Sequence, residues 1–314
     1  MSVGKGEYRL LSYYEPAGVV QAGILVGDRV LPVAPLLPDL VRGATAPSVL
    51  GLLQEWDAVH PRLHSVAQQV TATDGKPVSD IKLAAPILYP AAIFCAGANY
   101  WDHIEEMSRQ VVRTGPPTKK PAEPFFFLKT PSHSIVGSHA PVRLPPFSSQ
   151  VDWEAELGVV ISRRTRNVSE HHALENVAGY VIFNDLSARD LMKREGIPPF
   201  AFDWLAQKCF DDAAPMGPWL TPSSYIQDPN NLTIKLWVNG VLKQDSNTSR
   251  MVHSIAEQIA YLSRHFTLRP GDVIATGTPS GVGLPRGEFL KAGDEVKIEI
   301  AGCGMLVNQV IAEQ

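Results

Sequence analysis

Short runs of alternating apolar and polar residues open the chain: Tyr8 to Tyr13, Val19 to Val26 and Val30 to Val33. Period-two alternation is the pattern of a half-buried strand, and Gly27-Asp28 supplies a tight turn between the last two runs, so a small meander is expected. From Ser48 to about Trp56, and again from His60 to Val70, the apolar spacing lengthens to about 3.6, which predicts helices that Gly75-Lys76-Pro77 breaks. These elements predict a small N-terminal α/β domain over residues 1–85. From Pro86 the pattern changes to many short strands punctuated by Pro and Gly: Phe125 to Leu128, Trp153 to Ile161, Tyr180 to Phe183, Leu232 to Val238 and Glu295 to Ile300. A second, β-rich domain of sandwich or roll type is expected over 86–314. Two helices are predicted to interrupt it. Ser187 to Glu195 opens on Ser187 and Asp190, which resemble a capping box with Asp in place of Glu; Ser254 to His265 lines one face with Ile255, Ile259 and Leu262. The polar, basic, Pro-rich stretch Ser108 to Glu123 reads as a flap between structured runs.

Composition narrows the class. Apolar residues are 45% of the 314 and charged residues 19%, which is globular usage. A formal net charge of -4 gives no polybasic surface for a phosphate backbone, so no nucleic-acid partner is expected. The first residues carry no apolar leader and no run of apolar residues reaches the length of a membrane span, so a cytoplasmic protein without membrane association is expected. Cys95, Cys209 and Cys303 cannot all pair and show no C-x-x-C spacing, which argues against a disulfide framework or a zinc site.

The candidate chemistry lies in carboxylates. A strand through Asp152-Trp153-Glu154-Ala155-Glu156-Leu157 would point Glu154 and Glu156 the same way, at the edge of a segment that continues as nearly pure core. Asp185 ends the apolar run Tyr180-Val181-Ile182-Phe183. Clustered carboxylates need a cation, a proton or Arg/Lys partners, and three oxygen donors without nearby Cys or His suit a hard ion: magnesium, with manganese or calcium as substitutes. Spacing alone equally allows a solvated edge strand. Upstream, a strand and Gly turn at Ala91 to Gly97 lead into a short helix, on which His103 and Glu106 are three apart and therefore neighbours. A carboxylate bonded to one imidazole nitrogen makes the other a better base; an incidental pair on a solvated helix face has the same spacing.

An ordered series of segments resembles the fumarylacetoacetate hydrolase family from Pro86 to Val310. It comprises Asn99-Tyr100-x-x-His103-x-x-Glu106, Phe127-Leu128-Lys129, Asp152 to Leu157, Asn184-Asp185-Leu186-Ser187-Ala188-Arg189-Asp190, Lys208-Cys209-Phe210-Asp211, Pro215-Met216-Gly217-Pro218, Gln244 to Thr248, and Pro270-Gly271-Asp272 through Thr276-Gly277-Thr278-Pro279. The resemblance implies an α+β, β-rich fold with a mixed β-roll catalytic domain, usually in a homodimer, and a divalent metal on Glu154, Glu156 and Asp185. The sequence departs from the usual pattern at Thr130, where proline is usual, at Asp212, where threonine is common, and in the length of Ser108 to Glu123 and Gly196 to Phe202.

The expectation that follows is a metal-dependent hydrolase cleaving a C–C bond of a small 2,4-dioxo acid. His103, oriented by Glu106, would activate water, and Lys208 with the metal would stabilise the enolate. Tyr100, Lys129, Thr276, Gly277 and Thr278 would bind the anionic keto-acid. An isomerase, tautomerase or decarboxylase using the same metal site is the alternative, and a catalytically idle ligand-binding member of the fold is a second. Arg109, Arg113, Lys119 and Lys120 hint at an acidic substrate, although a solvated loop has the same composition.

Overall fold

The computed structural model of the chain describes residues 6–41, 46–109, 115, 119–196 and 201–313. The expected flap at Ser108 to Glu123, Arg113 included, lies partly outside the described residues, as does the middle of Gly196 to Phe202.

The N-terminal meander forms as three antiparallel strands, β1 (Arg9–Tyr14), β2 (Val20–Val26) and β3 (Arg29–Pro32), with Gly27 at φ +60° in the turn. Helices α1 (Val49–Gln54), capped by Ser48, and α2 (Trp56–Ala67) follow. Next come β4 (Ile93–Gly97), the short helix α3 (Trp101–Met107) and β5 (Phe125–Lys129). The middle of the chain supplies β6 (Ala155–Ile161), β7 (Val177–Asn184), helix α4 (Trp204–Lys208) and β8 (Ala214–Pro222). The last part adds β9 (Thr233–Val238), β10 (Val241–Asn247), helix α5 (Ile255–His265), β11 (Val273–Ala275), β12 (Glu295–Ile300) and β13 (Gly304–Ala312).

One large sheet runs β3-β2-β1-β8-β7-β6-β11-β4-β5, so the meander continues directly into the later strands through the pairing of Leu10 with Leu220. A smaller sheet runs β10-β9-β12-β13 and ends on the strand Val142–Leu144. The central strands β6 and β7 read as unbroken apolar runs because both of their faces are covered. Leu157, Val159, Ile161, Tyr180 and Ile182 pack toward the smaller sheet and α5, in one core with Ile234, Leu236, Val296, Ile298 and Ile259. Val160, Val181 and Phe183 face a second core with Leu52, Leu53, Trp56, Val59 and Leu63 of the N-terminal helices. No helix among the described residues is long and apolar enough to cross a membrane.

One expected helix does not form. Ser187 and Ala188 pair antiparallel with Asp152 and Val151, and only a single 3-10 turn, Arg189–Leu191, follows. The cap-like side chains have other partners: Ser187 Oγ donates to Glu154 Oε1, and Asp190 accepts from Ser148 and Ser149. The extended backbone carries Arg189 to Asp152 and Glu154, and binding two buried carboxylates outweighs a weak local cap preference. The other expected helix is present with its capping box complete: Ser254 Oγ accepts from the Glu257 amide, and the Glu257 carboxylate accepts from the Ser254 amide. Ile255, Ile259 and Leu262 are buried on its inner face. The Ser254→Ala chain should therefore lose about 1 kcal/mol of stability, read as a lowered denaturant midpoint at unchanged slope; an unchanged midpoint would show that the cap contributes nothing.

Candidate metal centre

The three carboxylates meet because β6 and β7 are paired in a register that sets Ala155 opposite Asn184 and Glu156 opposite Phe183. Regular pairing begins at Ala155, so Glu154 lies just outside the ladder rather than within one continuous strand. Its place is set by other bonds: the Glu154 amide donates to Asn184 Oδ1 at 3.0 Å, and its carbonyl accepts the Asp185 amide at 2.9 Å. Glu154, Glu156 and Asp185 each offer an oxygen, all within 4.8 Å of one another, and all three residues are buried.

Three buried cations offset this charge. Lys208 Nζ bonds Glu154 Oε2 at 2.9 Å and Asp185 Oδ2 at 2.6 Å. Lys129 Nζ stands 2.9 Å from Asp185 Oδ1 and donates to the carbonyls of Leu186, Lys208 and Ala213. Arg189 spans Asp152 Oδ2 at 2.9 Å and Glu154 Oε1 at 2.5 Å. Burial pushes the Glu154 carboxyl up, but Lys208 and then Arg189 outweigh it and hold Glu154 well below the usual carboxylate range. Glu156 has the opposite fate: burial first, then Asp185 and Glu154, push it well above that range. Its Oε2 accepts the Gly277 amide at 2.7 Å, while its buried Oε1 has no hydrogen-bond partner. An unpaired carboxylate oxygen beside two further carboxylates, in an all-oxygen donor set, fits a hard divalent cation.

The other expected site residues divide. A cavity of about 270 Å³ is lined by His103, Glu154, Glu156, Arg189, Lys208 and Thr278, so the proposed base, the lysine and two of the carboxylates share one space. Glu106 comes close to His103, but Nδ1 and Oε2 are 3.9 Å apart, beyond hydrogen-bond length, and His103 Nδ1 has no partner. Glu106 Oε2 instead accepts the Gly281 amide at 2.9 Å, and Arg286 stands 3.8 Å from Oε1. Although burial opposes it, His103, the Gly281 amide and Arg286 hold Glu106 below its ordinary value, so it remains an anion beside the imidazole. Tyr100 is fully buried with its hydroxyl unpartnered. Lys129 is enclosed by its four oxygen partners and acts on Asp185. The hydroxyls of Thr276 and Thr278 already donate to Leu157 O and Ala155 O, so that loop clamps the strand bearing Glu156. Gly277, at φ +98°, lies where a Cβ would come within 2.7 Å of Asn99 Cβ. Of the basic residues near the flap, Arg109 stands 3.6 Å from Glu105 and Lys120 bonds Glu257.

Several residues of the matched segments carry more than the sequence reading assigned them. Asp152 accepts from Arg189 and from the amides of Trp153, Gly283 and Leu284, which fixes the arginine. Asn99 bonds the carbonyls of His253 and Thr276 and the His253 amide, and Gln244 bonds the Ala155 amide, Thr278 Oγ1 and Pro279 O. Ser246 Oγ donates to Asp102 at the start of α3. Their only signal in the sequence was membership of the series, because buried polar groups that position others have no periodicity of their own.

The family pattern described as fumarylacetoacetate (FAA) hydrolase C-terminal matches residues 92–311. The mitochondrial oxaloacetate tautomerase of Xenopus laevis is 45% identical over 236 residues, which is 74% of this chain and 69% of that protein. The crystal structure of maleylpyruvate hydrolase from Sphingobium sp. SYK-6 in complex with manganese(II) ion and pyruvate aligns with a TM-score of 0.76 and 28% identity, over 98% of this chain and 100% of that one. Fumarylacetoacetate hydrolase from Exiguobacterium antarcticum aligns with a TM-score of 0.77 and 31% identity, over 98% and 100%.

If Glu156 supplies the missing charge balance through a cation, removing its charge should separate folding from metal binding. The Glu156→Gln chain is expected to melt no lower than the parent in chelator. It should also lose the stabilisation that a divalent cation gives the parent, about 2.7 kcal/mol at a hundredfold excess over Kd. Scanning calorimetry with magnesium or manganese measures both; an equal rise in Tm for both proteins would remove Glu156 from the ligand set.

Proposed function

The chain belongs to the fumarylacetoacetate hydrolase family, and from that premise we propose that it is a divalent-metal-dependent enzyme moving a proton between the keto and enol forms of a small 2-oxo acid. The observation that carries this reading is that His103, Lys208, Glu154 and Glu156 line one cavity. Similarity to a relative named as an oxaloacetate tautomerase supports the reaction type. Glu154, Glu156 and Asp185 would hold the cation, taken to be magnesium with manganese able to replace it. Bound there, the cation would chelate and polarise the 2-oxo carboxylate head and so acidify the neighbouring carbon.

The chain's own groups supply the rest. His103 exchanges the proton at that carbon, and the Glu106 anion 3.9 Å away stabilises the imidazolium during the transfer. Lys208, held between Glu154 and Asp185, sets a fixed positive charge beside the space where enolate charge develops. Burial works against the Lys208 charge, but Asp185 and Glu154 outweigh it and hold the ammonium above its ordinary range, so it acts as a cation and hydrogen-bond donor rather than a base. Asn99, Gln244 and Asp152 keep these groups in position.

A second reading is C–C hydrolysis of a 2,4-dioxo acid, supported by the His103 and Glu106 pair and by the likeness to maleylpyruvate hydrolase. Water, deprotonated at His103, would add to the distal carbonyl, and the C–C bond would break to give the free acid and an enolate that is protonated to pyruvate. The two readings separate in one assay. Enol absorbance of oxaloacetate and of an acylpyruvate is followed with metal and with chelator, alongside assays of pyruvate and free acid. Metal-dependent equilibration without cleavage supports the tautomerase; pyruvate and free acid from the acylpyruvate establish the hydrolase; no change with either substrate sinks both. In the tautomerase case His103→Asn should lower kcat by about a hundredfold or more with KM little changed.

A homodimer is part of this proposal. β5 is an edge strand of the large sheet, Phe125 and Leu128 on it are about half exposed, and Leu205 on the adjoining α4 is 68% exposed. Light scattering is expected to give twice the chain mass of 34.2 kDa; a monomer at micromolar concentration would refute it.

A further inference from the structure

The His103 imidazole has no direct bond at Nδ1 to fix it: that nitrogen is buried without a hydrogen-bond partner, and Glu106 stops 3.9 Å away. Where the ring stands is therefore decided by where α3 stands. That helix has seven residues, too few to hold its own shape in water, and its N-cap, Tyr100, makes no side-chain cap bond. Its placement must come from contacts with the rest of the protein. Asp102, in its first turn, makes such contacts, and the mechanism above does not use it.

Asp102 Oδ1 accepts the His103 amide at 2.8 Å, a first-turn N–H that the helix itself leaves unpaired, and the Ser280 amide at 3.3 Å. Its Oδ2 accepts from Ser246 Oγ at 2.9 Å and from Arg250 Nη1 at 3.2 Å. Four residues on, Glu106 accepts the amide of Gly281, the residue after Ser280, at 2.9 Å. Positions four apart share a helix face, so α3 is moored at both ends to one dipeptide. The same loop holds the carboxylate centre. Gly277 donates to Glu156, Gly283 and Leu284 donate to Asp152, and Gly281 O accepts from Trp153 Nε1. His103 and the carboxylates are thus referenced to a single stretch of backbone, 277–284.

Resting on the tautomerase reading of this site, we propose that Asp102 is a positioning residue for His103. By joining the first turn of α3 to Ser280 it fixes the distance from the imidazole to the carbon whose proton is exchanged, while Glu106 fixes the last turn. Proton transfer depends steeply on that distance and substrate binding does not, so the bond acts on kcat. Asparagine at this position keeps an oxygen for the two amides, and Ser246 Oγ can accept from its Nδ2; alanine leaves both amides without their acceptor.

Keto–enol equilibration of oxaloacetate by the metal-loaded full chain tests this. Asp102→Ala is expected to lower kcat by about tenfold or more, with KM and the metal-dependent rise in Tm little changed, whereas Asp102→Asn stays within about threefold of the parent. Asp102→Leu is measured alongside in case the alanine chain fails to fold. Because Asp102 acts through His103, adding Asp102→Ala to a His103→Asn chain should lower the residual kcat by less than about twofold. A general loss of structure would lower that background as much as it lowers the parent. An equal loss in both backgrounds, a kcat unchanged in the alanine and leucine chains, or an asparagine chain as slow as the alanine one overturns the inference; metal-dependent turnover by the parent then leaves the tautomerase reading standing. A parent that turns over no 2-oxo acid with metal, or a His103→Asn chain as fast as the parent, overturns both.

Discussion

The arrangement depends on a balance of buried charge. Asp152, Glu154, Glu156 and Asp185 are all withdrawn from water, and Lys129, Lys208 and Arg189 are withdrawn with them. Each of these groups alone would be expelled or neutralised, because desolvating an ion costs more than most single contacts return. Together they hold one another, with Glu156 the carboxylate that no cation bonds directly. A divalent ion is what such an imbalance accommodates.

The covering of the large sheet on both faces makes that balance possible. β6 and β7 are covered on both faces, so the backbone that carries Glu154, Glu156 and Asp185 is rigid and dry up to the point where the pairing ends. The clustered carboxylates sit at that end, where the ladder no longer dictates where amides and carbonyls go. The Asn184 side chain, the Gly277 amide and the Gln244 amide take over the satisfaction of backbone and carboxylate groups. The parallel pairing of β11 with β4 brings the Thr276-Gly277-Thr278 turn beside the start of α3, so His103 and the carboxylates come from segments far apart in the chain.

The site's cations show how local preference yields to this centre. Ser187 and Asp190 have the spacing of a helix start, yet the backbone stays extended through Ser187-Ala188 so that Arg189 reaches two carboxylates. Lys129, expected from the sequence to bind substrate, and Lys208, expected to stabilise the enolate, take different places: Lys129 is enclosed by oxygens and supports Asp185, while Lys208 opens on the cavity. Nothing in their spacing distinguishes the two, since the difference lies in which backbone carbonyls surround each ammonium.

The sequence by itself determined the strands and helices whose periodicity is strong: the N-terminal meander, the core strands, and α5 with its capping box. It also determined the ordered series of polar motifs that marks the family, and through it the identity of the three carboxylates. These are local properties, since alternation, capping and motif order are all written within short windows. Tertiary structure alone decided that Glu154 stands outside the ladder, that Glu156 keeps an unpaired oxygen, that His103 and Glu106 stop at 3.9 Å, and that Asp102 and Glu106 meet neighbouring amides of one loop. Each of these depends on groups distant in sequence competing for the same few hydrogen bonds in a place without water, and that competition has no trace in the spacing of any one segment.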